Sequence, residues 1–393
     1  MTALKLKKRE ERRVLAGHGW VFSNEIDTEQ TPLKGLEPGS SVTLESANGK
    51  FLAHAYVNPH SLIAARVTSR DAREPFNATV LRARLQRALE LREYLYDDPC
   101  YRLVHSEGDF LPGLTVDRYN DVLVVQITTA GMERYRDEIV DALQSVTGAT
   151  AIYLRNDAPV RKLEHLPEYR EWVVGEAVEV LSVRENGLQF DVPAELGQKT
   201  GWFYDHRSSR AALAPWVRER RVLDLYTYLG GFALNAAACG AREVIGVDGS
   251  QQAVNGATAN AVSNGLQDRV SFRCDDAVEA MRSLFEDGER FDVVVLDPPA
   301  FIKRRKDREQ GLRHYALNNR LAMRLLNPGG IIVSASCSQA LSHDDLLQQM
   351  RQNTPRGSLG LQVLAPLQQG PDHPVNIAMP ETLYLTGCIA RLL

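Results

Sequence analysis

From Arg221 onward the sequence settles into a rhythm that few folds can satisfy. Short stretches rich in apolar residues recur at Val222–Leu225, Val244–Val247, Val270–Arg273, Val293–Leu296 and Ile331–Ser334, each followed by a stretch with helical spacing. A strand that is apolar along nearly its whole length has no face left for water. The pattern therefore predicts an α/β domain, a parallel sheet covered by helices on both sides. Helix punctuation agrees. Ser250 stands where an N-cap is needed and Gly265 where the same helix must stop, and Ser342 with Asp345 three residues on has the form of a capping box.

Open sheets of this kind bind ligands at the carboxyl ends of their strands, so the residues there carry the argument. The first strand runs into Asp224-Leu225-Tyr226-Thr227-Tyr228-Leu229-Gly230-Gly231-Phe232, followed by a helix from Ala233 to Cys239. Glycine in such a turn lets the backbone approach a ligand at the helix N-terminus. The second strand ends at Asp248, where a carboxylate can accept from both hydroxyls of an adenosine ribose. A dinucleotide site shares this geometry but needs G-x-G-x-x-G to seat a pyrophosphate, and the loop lacks that spacing. S-adenosylmethionine (SAM) has no phosphate and carries an ammonium that favours a nearby carboxylate. The segment thus favours SAM over NAD, with an unliganded strand-to-helix turn as the alternative.

The remaining strand ends repeat the acidic theme. The third reads Cys274-Asp275-Asp276-Ala277, where Asp276 could accept from an adenine amino group or simply cap the next helix. The fourth reads Asp297-Pro298-Pro299-Ala300-Phe301; two prolines enforce a rigid, extended backbone beside an acid and an aromatic, which suits holding a planar base. Lys303, Arg304, Arg305, Lys306 and Arg308 follow at once, either a phosphate contact or a solvated loop. The fifth leads into Ser336-Cys337-Ser338, with Cys337 on the same edge as Asp297, although a free cysteine is often no more than a small buried hydrophobe.

The first half of the chain is organised differently. Val42 and Leu44 alternate with polar neighbours before Asn48-Gly49, and Phe51, Ala53 and Ala55 do so after it. This predicts a hairpin with both turn residues at positive φ, within a β-rich domain over residues 1–72. Its opening carries Lys5, Lys7, Lys8, Arg9, Arg12 and Arg13 against Glu10 and Glu11, a solvated terminus or a surface for nucleic-acid phosphates. A small α+β domain is expected over 73–176, with a helix at 79–96, strands near Leu114–Arg118, Val122–Thr128 and Ala151–Arg155, a helix near Met132–Val146, and an irregular connector from Pro159 to Gly175. Residues 177–393 then hold a leading hairpin around Asn186-Gly187 and the α/β sheet. Five scattered cysteines without a C-x-x-C pair fit a reducing cytoplasm and predict no zinc cluster. A net charge of −4 confines nucleic-acid contact to local patches. No apolar run approaches the roughly 18 residues of a membrane span, and the N-terminus lacks the apolar segment of a secretory signal.

Together these residues resemble the RlmI-like family of class I SAM-dependent methyltransferases over essentially the whole chain. The resemblance is carried by Gln198-Lys199-Thr200-Gly201-Trp202-Phe203-Tyr204-Asp205-His206-Arg207, which is similar to the family's Lys-Thr-Gly-aromatic-aromatic-x-Asp-x-Arg segment. Asp297-Pro298-Pro299-x-Phe301, Ser336-Cys337-Ser338, Asp372-His373-Pro374-Val375 and Pro380-Glu381-x-Leu383-Tyr384-Leu385 add to it. His206 stands where the family usually has Gln, Leu229 where Thr is common, Asp224 in place of a frequent Asn and Ala300 in place of a frequent Lys.

The resemblance implies a PUA-like RNA-binding domain, the small α+β domain, and a Rossmann-like catalytic domain. It implies SAM as cofactor, held by Lys199, Thr200, Gly201, Asp205, Arg207, Asp224, Tyr226, Gly230, Gly231, Phe232, Asp248, Asp276 and Asp297. RNA would meet Pro298, Pro299, Phe301, Lys303, Arg304 and Arg305, and Lys7, Lys8 and Arg9 at the N-terminus. The implied substrate is 23S ribosomal RNA and the implied target C5 of a cytosine, with Cys337 as nucleophile and Asp297 on the N3 and amino edge of the base. No metal or membrane partner is expected, and a homodimer is left open. Two rival readings stand beside this one. A guanine ring-nitrogen methyltransferase would need no thiol, and an RNA-binding assembly factor with a vestigial SAM pocket would need no chemistry.

Overall fold

The computed structural model describes residues 2–195, 200–302 and 304–393. They divide into two units, one of Met1–Leu181, Pro193–Trp202 and Pro371–Thr382, the other of Ser182–Val192, Phe203–Gly370 and Leu383–Leu393.

The first unit opens with β1 (Thr2–Lys5), α1 (Glu11–Leu15), β2 (Trp20–Val21), β3 (Ser40–Glu45), β4 (Phe51–Val57) and β5 (Ala65–Ser69). The strands form one sheet in the order β1-β3-β4-β5-β2 around a core that includes Leu4, Val14, Val42, Leu44 and Ala55. The expected hairpin is β3–β4, with Leu44 opposite Ala53 and Val42 opposite Ala55. Its turn differs from expectation, because only Gly49 has a positive φ, of 77°. Ser46 closes a longer loop, its carbonyl accepting from Gly49 N and its own N–H donating to Lys50 O, both at 2.9 Å. The extra length releases Asn48 from the left-handed region.

The second sheet of this unit is ordered β10-β9-β8-β7-β6. It comprises β6 (Cys100–His105), β7 (Leu114–Tyr119), β8 (Val122–Ile127), β9 (Ala151–Asn156) and β10 (Tyr169–Val174), with α2 (Ala78–Leu95), α3 (Ala130–Glu133) and α4 (Arg136–Thr147). The side chain of Asn77 starts α2 by accepting from Thr79 N and Val80 N at 2.9 and 3.0 Å. β10 corrects the irregular connector expected over 159–175. After a short 3-10 turn it pairs antiparallel with β9, and Trp172 stacks on Tyr153 with ring centroids 4.5 Å apart. Charge and proline hid a half-exposed edge strand whose apolar support lies on its neighbour. The single helix expected near 132–146 is likewise two, α3 and α4. Buried Glu164 ties the two sheets together, taking Arg66 Nη1 at 2.9 Å and Asn58 Nδ2 at 2.7 Å.

The second unit begins at the hairpin of β11 (Val180–Glu185) and β12 (Leu188–Pro193), where Asn186 and Gly187 both have positive φ, as the dipeptide predicts. Its main sheet contains β13 (Arg221–Leu225), β14 (Glu243–Asp248), β15 (Val270–Cys274), β16 (Phe291–Leu296), β17 (Leu326–Ser336), β18 (Leu361–Leu367) and β19 (Thr386–Leu392). The order is β15-β14-β13-β16-β17-β19-β18; β13 to β17 run parallel and β19 runs antiparallel to both its neighbours. The helices are α5 (Arg207–Ala211), α6 (Ala214–Val217), α7 (Gly231–Ala238), α8 (Gln251–Ser263), α9 (Ala277–Glu286), α10 (Arg308–Arg324) and α11 (His343–Gln352). Ser250 caps α8, and Ser342 and Asp345 form the reciprocal box at α11. The order reverses between β13 and β16, and such a switch point opens a crevice at the strands' carboxyl ends.

Candidate active site

β13 delivers Asp224 to the switch point, and the loop after it folds back onto that carboxylate. Asp224 is fully buried. Its Oδ2 accepts from Thr227 Oγ1 at 2.5 Å and from Ala233 N at 3.0 Å, which ties strand, loop and the first turn of α7 together. Its Oδ1 is buried without a hydrogen-bond partner among the described residues. Burial, with the charges of Asp297 and Asp248 behind it, pushes this carboxyl up to about 7, against the opposing pull of the Thr227 and Ala233 bonds.

Tyr226, Tyr228 and Gly230 in the same loop all have positive φ, of 65°, 52° and 86°. For residues other than glycine this region costs about 1–3 kcal/mol and persists only where the surroundings over-determine it. They do so here. Tyr226 Oη donates to Asn318 Oδ1 at 2.7 Å. Tyr228 N donates to Asp248 Oδ2 at 2.9 Å, and its ring stands edge-on to Phe203. Gly230 leads into α7, and a Cβ there would lie 3.2 Å from the Phe272 ring. Half-buried Asp248 also receives Ser250 N on its other oxygen at 2.9 Å. Asp276 is the N-cap of α9, its Oδ1 accepting from Val278 N and Glu279 N, which leaves Oδ2 exposed.

Asp297 follows β16, and its Oδ1 lies 3.1 Å from His206 Nε2. His206 is buried, its ring edge-on to Phe232. Burial works against its charged form, but the charge and hydrogen bond of Asp297, with the charge of Asp205, together raise the imidazole pKa. The sequence reading did not single out His206 as functional; its replacement of the usual Gln was the available signal. After Asp297, Pro298 is buried and Pro299 exposed. Phe301 packs edge-to-face on Tyr315, with centroids 4.9 Å apart, and tilts over His314.

The strand next door ends at the Ser-Cys-Ser segment. Ser336 Oγ donates to Tyr315 Oη at 2.7 Å, and Ser338 Oγ lies 2.8 Å from the same oxygen. Both serines beside Cys337 are thus pinned to one buried phenol, which the sequence reading missed because a helical tyrosine looks like ordinary core. Cys337 itself is half-buried. β16 and β17 are paired neighbours, with Leu296 opposite Ser334, so Asp297 and Cys337 follow adjoining strand ends. Cys388, by contrast, is buried in β19 and its thiol is pushed up to about 12 by burial.

Other expected site residues have protein partners of their own. Thr200 and Gly201 belong to the first unit, where Thr200 Oγ1 donates to Asp117 and the Thr200 carbonyl accepts from Tyr119 Oη at 3.0 Å. Asp205 and Arg207 belong to the second; Asp205 Oδ2 accepts from Tyr384 Oη at 2.6 Å, and Arg207 Nε lies 3.6 Å from Glu185. Lys199 and Lys303 lie outside the described residues, as does the side chain of Arg305. Arg304 pairs with Asp307 and Arg308 with Asp345, so part of that basic run is neutralised locally. Lys7, Lys8 and Arg9 are exposed on the first unit, and Lys7 Nζ donates to Asn24 O.

Asp224, Asp248, Asp276 and Asp297 therefore gather on one sheet edge, with one buried carboxylate oxygen still unsatisfied. That edge suits a cationic ligand bearing hydroxyls, and the sulfonium, ammonium and ribose of SAM fit it. Among the described residues no cluster of His, Cys, Asp and Glu could hold a metal ion, and no helix is long and apolar enough to cross a membrane.

Comparison with known proteins supports the same cofactor. A family model for S-adenosylmethionine-dependent methyltransferases matches residues 101–379, and one for a PUA-like domain matches residues 4–70. Ribosomal RNA large subunit methyltransferase I of Cronobacter sakazakii is 37% identical over 389 residues, covering 98% of each chain. The protein of the same name from Klebsiella pneumoniae subsp. pneumoniae is 36% identical, covering 99% of this chain and 98% of its own. The crystal structure of SMU.776 complexed with SAH superposes with a TM-score of 0.86 over all of both chains, at 22% identity, which speaks to the fold.

Proposed function

The chain belongs to the S-adenosylmethionine-dependent methyltransferase family that includes ribosomal RNA large subunit methyltransferase I, and from that premise we propose that it methylates C5 of a cytosine in 23S ribosomal RNA through a covalent bond to Cys337. A PUA-like domain precedes the Rossmann-like methyltransferase domain, and SAM is the cofactor. We take residues 1–72 as the RNA-capturing domain, 73–176 as the small central domain and 177–393 as the domain for chemistry.

SAM supplies an electrophilic methyl group on a sulfonium. Asp248 would accept from the ribose hydroxyls, and the buried charge of Asp224 would favour the methionine ammonium. The C5 carbon of cytosine is too weak a nucleophile to take a methyl group unaided. The Cys337 thiolate adds to C6, and C5 becomes enamine-like. Asp297 engages the N3 and amino edge of the base, favouring the charge shift there. C5 then takes the methyl group and SAH leaves. Loss of the C5 proton and cleavage of the Sγ–C6 bond restore the aromatic ring and the free thiolate. A target inside an RNA helix must first be flipped out of its stack.

The observation that supports this reading is the pairing of Cys337 with Asp297 at adjoining strand ends, in a segment whose serines are both fastened to Tyr315. The test is Cys337→Ala. SAM and RNA binding should persist while methyl transfer falls by several orders of magnitude. Wild-type protein should form a denaturant-resistant adduct with RNA carrying 5-fluorocytosine at the target, because fluorine blocks the final elimination, and the Ala variant should form none. An active Ala variant would replace this reading with a guanine ring-nitrogen methyltransferase, which needs no thiol.

A further inference from the structure

The first unit carries a cavity of about 220 Å³, far along the chain from the residues assigned to chemistry. Arg70 follows β5 into its wall, Arg84 comes from α2, Glu107 and Phe110 from the turn after β6, and Asn376 and Met379 from the returning segment 371–382. The two arginines differ from the more buried arginines of this unit. Arg66, Arg92, Arg102 and Arg161 are each paired with a carboxylate, namely Glu164, Asp109, Asp117 and Glu133. Arg70 instead donates to two carbonyls, Val14 O at 2.6 Å and His18 O at 3.1 Å. Arg84 donates to the carbonyls of Thr68 and Phe110. Neither makes an ion pair among the described residues. Burial lowers the pKa of both, with the charge of Arg87 adding to the effect at Arg84. Glu107, the acid in the wall, is already engaged by Trp20 Nε1 at 2.7 Å and Ser106 Oγ at 2.5 Å, with Arg66 Nε 3.8 Å away.

Arg84 is half-buried and Arg70 exposed at the wall of the cavity, and with carbonyls as their hydrogen-bond partners their positive charge is not balanced by a carboxylate. Phe110 adds an aromatic ring that is 61% exposed on a backbone held at φ 59°. Exposure alone would mean little, but a left-handed phenylalanine is a strained position for a ring left in water. Pockets for whole small ligands measure about 300–1,000 Å³, so this one suits a single unit of a polymer. We propose that the cavity binds one nucleotide of the RNA substrate, with its phosphate on Arg70 and Arg84 and its base against Phe110. The proposal rests on the RNA reading above and gives that reading a second anchor apart from the basic N-terminus.

The test measures binding of a 23S ribosomal RNA transcript across a salt series. Replacing both arginines by Gln (Arg70→Gln with Arg84→Gln) should weaken binding at least tenfold. It should also lower the slope of log affinity against log salt by about 0.7–0.9, the counterions of one phosphate. Replacing both by Lys should keep the slope. Phe110→Ala, at an exposed side chain that the fold does not need, should weaken binding several-fold and leave the slope alone. Thermal unfolding profiles check that each variant is folded. An unchanged slope in a folded double Gln variant, while wild type binds and methylates the RNA, overturns the cavity proposal and leaves the functional reading intact. Binding of free CMP that both Gln replacements abolish, with RNA affinity untouched, overturns it in favour of a small-nucleotide site. Wild-type protein that binds no ribosomal RNA overturns both.

Discussion

A buried carboxylate with one oxygen engaged and the other idle needs either a proton or a cation to complete it. Burial, with the charges of Asp297 and Asp248, pushes the Asp224 carboxyl up to about 7. Below that pH it is protonated and neutral; above it, it is ionised and can answer the cofactor's positive charge. SAM affinity should therefore rise as pH passes upward through about 7, and titration calorimetry on Asp224→Asn should show a flat profile over the same range. Linkage has the opposite sign for the cofactor-free protein. Because the folded pKa is raised, the contribution to stability is complete below the unfolded value and is lost as pH climbs through about 7. Asp248 makes a simpler case. A hydrogen bond to a charged group is worth about 1.5–3 kcal/mol, so Asp248→Ala should lower SAM affinity at least tenfold with the fold retained. Asp248→Asn, which keeps an acceptor, should fall between. Unchanged affinity by calorimetry in the Ala variant would remove Asp248 from the site.

At the scale of elements, the strand ends matter less than what clamps them. The loop after β13 is held by Asn318, Asp248 and Phe203, and the segment after β17 by Tyr315. Two of those supports, Asn318 and Tyr315, come from α10, which packs beside the sheet and, of the residues expected to bind, carries Arg308 at its first position. Tyr315→Phe strips both serines beside Cys337 of a common buried partner, at about 1–3 kcal/mol for groups left unsatisfied. We expect kcat to fall tenfold or more while SAM affinity and KM for RNA stay near wild type, since a phenylalanine ring keeps the packing against Phe301. Equal losses in kcat and SAM affinity would mean that α10 supports the cofactor loop and the cysteine segment as one body.

For the molecule as a whole, a net charge of −4 leaves RNA capture to local cations. Lys8, Arg9 and Arg12 are exposed without ion-pair partners among the described residues, whereas Arg304 and Arg308 are paired with Asp307 and Asp345. Replacing Lys8, Arg9 and Arg12 together by Ala should lower the salt slope of RNA binding by about 2, at roughly 0.7–0.9 per phosphate released. Replacing Arg304 and Arg308 should change it less. SAM affinity should barely move in either case. If the N-terminal replacement leaves the slope unaltered, those charges are only a solvated surface.

The parallel sheet, the helix caps, the Asn186-Gly187 hairpin and the acidic strand ends were all readable in the residues, because each follows from periodicity or turn chemistry within a few positions of itself. The β10 edge strand was not, because its stabilising partners, Tyr153 among them, lie on another strand. Nor were the His206–Asp297 pair, the grip of Tyr315 on two serines, the idle oxygen of Asp224, or the two arginines that face carbonyls instead of carboxylates. Each of these is a relation between groups distant in sequence. Whether a buried polar atom has a partner, and what that does to its charge, is set by packing that no local pattern encodes.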